Sequence, residues 1–143
     1  MLNRELHFLI LKCFQNSNHL IMKEINKTDL SSGQPKILEY LLENDGAKSI
    51  EIACGCTLDK STVASLLIRM EKTGLIKREK DDKDGRSFNI FLTEFGKKRA
   101  FEVKEICKIV DESAMRGISP EKQEEFLETL NKVIENLAHE NRV

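Results

Sequence analysis

The chain has 143 residues, with 23 Lys and Arg against 24 Asp and Glu and a formal net charge of -1. That length fits one domain, or one domain with dimerisation arms, and excludes a multidomain enzyme, while the balanced charge excludes a protein that coats nucleic acid through bulk charge. Hydrophobic residues at 40%, charged residues at 33%, seven Gly, two Pro, one Tyr and no Trp describe a helix-rich globular chain without a carbohydrate-binding or aromatic-cage surface.

Apolar side chains at Leu6, Leu9, Ile10, Cys13, Phe14, Leu20, Ile21 and Ile25 recur mostly every three or four residues, which predicts one long first helix. Ser31 or Ser32 is placed to cap a second helix, with Pro35 in its first turn, Ile37, Leu38, Leu41 and Leu42 on its apolar face, and Gly46 as its stop. A short third helix is expected from about Ser49 to Cys56, broken near Gly55 and Thr57. Asp59 then caps a fourth helix running to about Thr73, before Gly74. Val63, Leu66, Leu67 and Met70 share one face of it; the opposite face is Lys60, Ser61, Ser65, Arg69 and Lys72, polar and never acidic.

After Gly74 the period changes from helical to alternating. Leu75 to Lys80 and Arg86 to Leu92, around the polar tip Asp81-Asp82-Lys83-Asp84-Gly85, predict a β-hairpin with Phe88, Ile90 and Leu92 alternating against Ser87, Asn89 and Phe91. Thr93 caps a fifth helix whose apolar set is Phe101, Val103, Ile106, Cys107, Val110 and Ala114, ending at Gly117. Ser119-Pro120 starts the last helix, with Phe126, Leu127, Leu130, Val133, Ile134 and Leu137 as its stripe. The expected fold class is mainly α: a winged helix-turn-helix at 31-98, flanked by dimerisation helices at 1-30 and 99-143.

Charge follows this layout. Residues 1-56 hold 6 basic and 7 acidic side chains, residues 57-99 hold 11 and 7, and residues 100-143 hold 6 and 10. The basic excess sits in the middle, where a polyanion would dock. A short helix with an uncrowded polar face can enter a major groove, and a positive hairpin tip can lie in the neighbouring minor groove.

The blocks Leu58-Asp59-Lys60-Ser61-Thr62-Val63, Arg69-Met70-Glu71-Lys72-Thr73-Gly74-Leu75-Ile76-Lys77-Arg78, Asp84-Gly85-Arg86-Ser87 and Leu92-Thr93-Glu94-Phe95-Gly96-Lys97 resemble the MarR family of bacterial transcription regulators. The resemblance implies a homodimer, knit by the first and last helices, that binds palindromic double-stranded operator DNA. It further implies repression until a small ligand or an oxidant releases the DNA. Carried over by position, Asp84 and Arg86 match the family's wing tip, where the carboxylate orients a guanidinium entering the minor groove. Ser61, Thr62 and Ser65 match recognition-helix contact positions, Lys60 sits near phosphate, and Lys83 belongs to the basic wing tip. Arg69 either reaches the DNA backbone or braces the hairpin through a carboxylate. The chain departs from the common pattern at Thr57, where the family often has Gly, and at Cys56, where it often has Leu.

Other chemistries find little here. Gly-rich phosphate loops, HExxH and nucleophile elbows are missing from the sequence, so no enzyme and no cofactor is expected. His7, His19 and His139 have no ligand spacing, and no metal is expected. Cys13, Cys54, Cys56 and Cys107 read as small buried thiols rather than disulfides or redox sensors. No apolar run approaches the roughly 20 residues that span a bilayer, and Met1-Leu2-Asn3-Arg4-Glu5 lacks the apolar centre of an export signal, so a cytoplasmic protein without a membrane partner is expected. Effector residues are not identified by sequence; Phe14, Ile37 and Phe101 lie near the junction where the family binds ligands. The alternative from another class is a winged helix that docks a protein instead of DNA.

Overall fold

The computed structural model describes residues 1-141. The helices are α1 (Leu6–Ile25), α2 (Gln34–Glu43), α3 (Ser49–Cys56), α4 (Lys60–Lys72), α5 (Glu94–Ala114) and α6 (Pro120–Glu140); the strands are β1 (Ala47–Lys48), β2 (Ile76–Lys80) and β3 (Phe88–Leu92). The strands form one antiparallel sheet in the order β1-β3-β2. This is the expected mainly helical winged helix-turn-helix. The chain divides into two compact units, Met1–Val110 and Asp111 onward.

The first unit is built on a continuous apolar core. Ile25 of α1, Ile37, Leu38 and Leu41 of α2, Ile52 of α3, and Val63, Leu67 and Met70 of α4 are essentially inaccessible. Ile76, Ile90 and Leu92 from the sheet and Ala100 and Val103 from α5 close it. Each helix contributes one stripe, so burial of apolar area rather than helix propensity fixes how they pack.

Several boundaries differ from the sequence-based expectation. Gly33, not Ser31 or Ser32, is the cap residue of α2. It adopts φ +90°, and a Cβ there would stand 2.7 Å from Leu66 Cδ1, so the turn requires glycine both conformationally and sterically. The backbone N–H of Ser31 donates instead to Oε1 of buried Gln34, at 3.1 Å. Gly46 does not end α2, which stops at Glu43 with Asn44 as its cap; the Gly46 N–H donates to the Ile90 carbonyl at 2.8 Å and leads into β1. β1 itself was not expected, because two residues are too few to show alternation.

In the hairpin, Ile90 and Leu92 of the alternating set are buried, but Phe88 is exposed. It faces Lys80 on the outermost rung, beyond the reach of the core. Phe101 likewise leaves the expected apolar face of α5 and is 62% exposed; Gly96, Ala100, Val103 and Val110 are the buried positions. Thr93 caps α5 as expected, its Oγ1 accepting the Gly96 N–H at 2.9 Å. In the second unit Ser119 caps α6 and Pro120 opens it, yet α6 buries none of its residues within the single chain.

Candidate nucleic-acid interface

The fourth helix starts as its sequence dictates. Asp59 Oδ1 accepts the Thr62 N–H at 2.7 Å and the Ser61 hydroxyl at 2.8 Å. The Thr62 backbone bond and the two hydroxyls hold the Asp59 carboxyl below its ordinary value, since each stabilises the ionised form. With Val63, Leu66, Leu67 and Met70 buried on one face, Lys60, Ser61, Thr62, Ser65 and Arg69 are all exposed. Ser61, Thr62, Ser65 and Arg69 line one shallow groove together with Ser32, which sequence reasoning missed because it had been assigned to a cap. The face presents hydroxyls and one guanidinium, groups that donate to and accept from base edges and phosphates.

Lys83, Asp84 and Arg86 lie exposed at the tip of the hairpin. The loop is closed by its own backbone: the Asp81 N–H donates to the Ser87 carbonyl at 3.0 Å, and the Ser87 N–H to the Asp84 carbonyl at 3.1 Å. Asp84 Oδ1 accepts the backbone N–H of Arg86 at 3.0 Å. The carboxylate that the family resemblance assigns to the guanidinium is therefore bonded here to the main chain, where it shapes the turn.

Arg69 was open between a backbone contact and a hairpin brace. The brace is made by another residue: Arg78 Nε of β2 lies 3.6 Å from Glu71 Oε1 of α4. A second ion pair joins Lys48 Nζ of β1 to Asp81 Oδ2 at the base of the tip, at 2.9 Å. It holds Asp81 below and Lys48 above their ordinary values, each group favouring the other's charged form. Neither Lys48 nor Arg78 was singled out by sequence, because cross-strand partners depend on register and on a strand two residues long.

The cysteines divide. Cys56 is buried, its thiol 3.5 Å from the Lys36 carbonyl and its pKa pushed up by burial. Cys107 is half-buried, but Cys13 and Cys54 are exposed, against the expectation of four buried thiols. Cys54 and Cys56 face opposite sides of α3, as their spacing requires. Among the described residues, no cluster of three or more His, Cys, Asp or Glu is arranged to hold a metal ion, and no helix is long and apolar enough to cross a membrane.

A winged helix-turn-helix with an exposed polar recognition face and a charged wing defines a DNA-binding regulator. The sequence model of the MarR family matches residues 30–88. The chain is 30% identical over 106 residues to the transcriptional regulator HosA of Escherichia coli, covering 74% of this chain and 78% of that one. Among solved structures, a MarR-family transcriptional regulator from Silicibacter pomeroyi superposes with a TM-score of 0.87 at 26% identity, over 95% of this chain and 92% of the other. The MepR–DNA complex of S. aureus gives 0.76 at 26% identity, over 92% and 96%. The chain belongs to the MarR family of transcription regulators, and its relatives are regulators rather than enzymes.

Proposed function

We propose that the protein is a homodimeric repressor that binds palindromic operator DNA, placing α4 in the major groove and the wing in the adjacent minor groove of each half-site. The observation that carries this reading is the exposed face of α4, formed by Ser61, Thr62, Ser65 and Arg69, with the exposed wing cations Lys83 and Arg86 following it in the chain. Lys60 and Arg69 meet phosphate, Ser61, Thr62 and Ser65 meet base edges, and Arg86 enters the minor groove, where a narrow groove concentrates negative potential. Asp84 keeps the turn that presents Arg86. The similarity to a regulator solved on DNA supports this placement.

The dimer follows from what each unit leaves uncovered. Leu6, Leu9, Ile10 and Phe14 on α1 are exposed, as are Phe126, Leu127, Ile134 and Leu137 on α6. A soluble monomer rarely carries so much exposed apolar surface on two helices, and an isologous interface buries both sets. Two-fold symmetry then sets half-sites roughly 10 base pairs apart.

Release by a small ligand is supported by a cleft of about 280 Å³ in the first unit, whose lining includes Phe14, Ile21, Met22, Pro35 and Leu58. Phe14 was one of the three residues expected near such a site. Ile37 is fully buried and Phe101 is exposed, and neither lines the cleft. A ligand there acts only by binding one spacing of the two recognition helices better than another.

The test is fluorescence anisotropy with DNA from the protein's own promoter region against a scrambled duplex, at two salt concentrations. Selective, salt-sensitive binding is expected, with Arg86→Ala weakening it and reducing the salt dependence by about one counterion. Equal weak binding to both duplexes, unaffected by Arg86→Ala, would reject operator recognition by this wing.

A further inference from the structure

The two outer strands of the sheet never touch each other, since β3 lies between β1 and β2. A single side chain nevertheless joins them. Lys48 pairs in register with Asn89 of β3, which in turn pairs with Glu79 of β2. The Lys48 ammonium reaches past this central strand to Asp81 Oδ2, 2.9 Å away, just beyond the end of β2. Lys48 is also the residue that opens α3, its N–H donating to Glu51 Oε1 at 3.2 Å.

Asp81 is equally committed on its other side. Its Oδ1 accepts the Lys83 N–H at 3.1 Å, and its own N–H closes the tip onto Ser87. One carboxylate thus connects the start of α3 to the segment that carries Lys83, Asp84 and Arg86. The charges explain why a carboxylate is needed there. Lys48, Arg78 and Arg86 line a single cleft of about 270 Å³ between α3 and the wing, and three cations gathered in one cleft repel one another. Glu71 answers Arg78 and Asp81 answers Lys48, which offsets the repulsion met by Arg86, an exposed residue on the same cleft.

Given the DNA-binding reading above, we infer that Asp81, through its ion pair with Lys48, is a positioning residue that sets the posture of the wing and hence the reach of Arg86 into the minor groove. A projecting two-stranded ribbon has little stability of its own, so a tether at its base governs where its tip points. The Lys48 side chain is 37% accessible and that of Asp81 15%, so the pair is open to water on its Lys48 side and contributes only modestly to global stability. The effect of breaking it therefore appears in DNA binding and leaves melting almost unchanged.

The sign of the effect separates posture from charge. Asp81→Asn removes a negative charge from a DNA-facing lobe, which by electrostatics alone strengthens binding. Loss of posture weakens it. The experiment uses the full chain and a duplex that the wild-type protein selects from a randomised pool, with Asp81→Asn, Arg86→Ala and the double variant compared by anisotropy. We expect Asp81→Asn to bind roughly tenfold more weakly, on the order of one misplaced groove contact, and to add no further loss in the Arg86→Ala background. Binding as tight as wild type, or tighter, overturns the inference, and so does an equal loss in both backgrounds, because Asp81 would then act by another route. If the wild-type protein selects no sequence, the operator reading itself falls and takes this inference with it.

Discussion

Gly96 lies so close to the main chain of Leu75 that a Cβ on it would collide with the Leu75 carbonyl oxygen. The contact explains the run from Leu92 to Gly96. Thr93 Oγ1 accepts the Gly96 N–H and donates to the Gly74 carbonyl at 2.5 Å, while the Thr93 N–H donates to the Leu75 carbonyl at 3.1 Å. The start of α5 is thereby fastened to the turn between α4 and β2. Backbone cannot yield as a flexible side chain can, so Gly96→Ala should cost about 1–3 kcal/mol. A melting temperature lowered by several degrees in thermal denaturation would bear this out; an unchanged one would not.

Such contacts mark the limit of what the sequence discloses. The helix starts at Asp59, Thr93 and Ser119 were legible because a capping side chain acts within three residues of itself. The buried stripe of α4 was legible from its period. The start of α2 was misread, since two serines look like caps while the chain in fact turns at Gly33, against Leu66 of a distant helix. Phe88 and Phe101 share the apolar pattern of their elements yet are exposed, because pattern gives the face of an element and not how far the core extends along it. The exposed polar residues of α4 were legible from its period, but Ser32 beside them and the ion pairs Lys48–Asp81 and Arg78–Glu71 were not. Both pairs depend on three-dimensional register.

Thr57 occupies the left-handed region, with φ 55° and ψ 42°, immediately after α3. A β-branched residue is strained there, and glycine is not. The gain from relieving the strain is partly offset by the larger entropy of glycine in the unfolded chain. Thr57→Gly should raise stability by about 0.5–1 kcal/mol. Chemical denaturation would show a higher midpoint with an unchanged slope if only the turn is affected, whereas a lower midpoint would mean that the Thr57 side chain contributes more than its backbone costs.

Asp59 ties acid stability to the start of α4. Its carboxyl is held below the ordinary value of 3.8, first by the Thr62 N–H. A folded-state value lower than the unfolded one means that the contribution is complete above about pH 5 and is lost as pH falls through the depressed value. Asp59→Asn keeps an oxygen on the Thr62 N–H but removes the titration. Its stability should therefore fall less steeply than wild type between neutral pH and acid, measured as melting temperature against pH. Parallel curves for the two proteins would show that the cap does not titrate with folding.

Ile134 on α6 is 55% exposed in the single chain, whereas Leu130, one turn earlier, is half-buried. If α6 serves only its own unit, Ile134→Asp replaces a solvent-facing side chain at little cost. If it lies in a two-fold interface, the substitution places two carboxylates in an apolar seam, one from each copy, and neither is paired there. Sedimentation should therefore find the wild-type protein at twice the chain mass and Ile134→Asp at the chain mass, with helical circular dichroism retained. The separated chain holds only one half-site, so operator affinity should fall by about 100-fold or more as the second contact ceases to be intramolecular. A variant that sediments as the wild type does would exclude Ile134 from the interface and with it this face of α6.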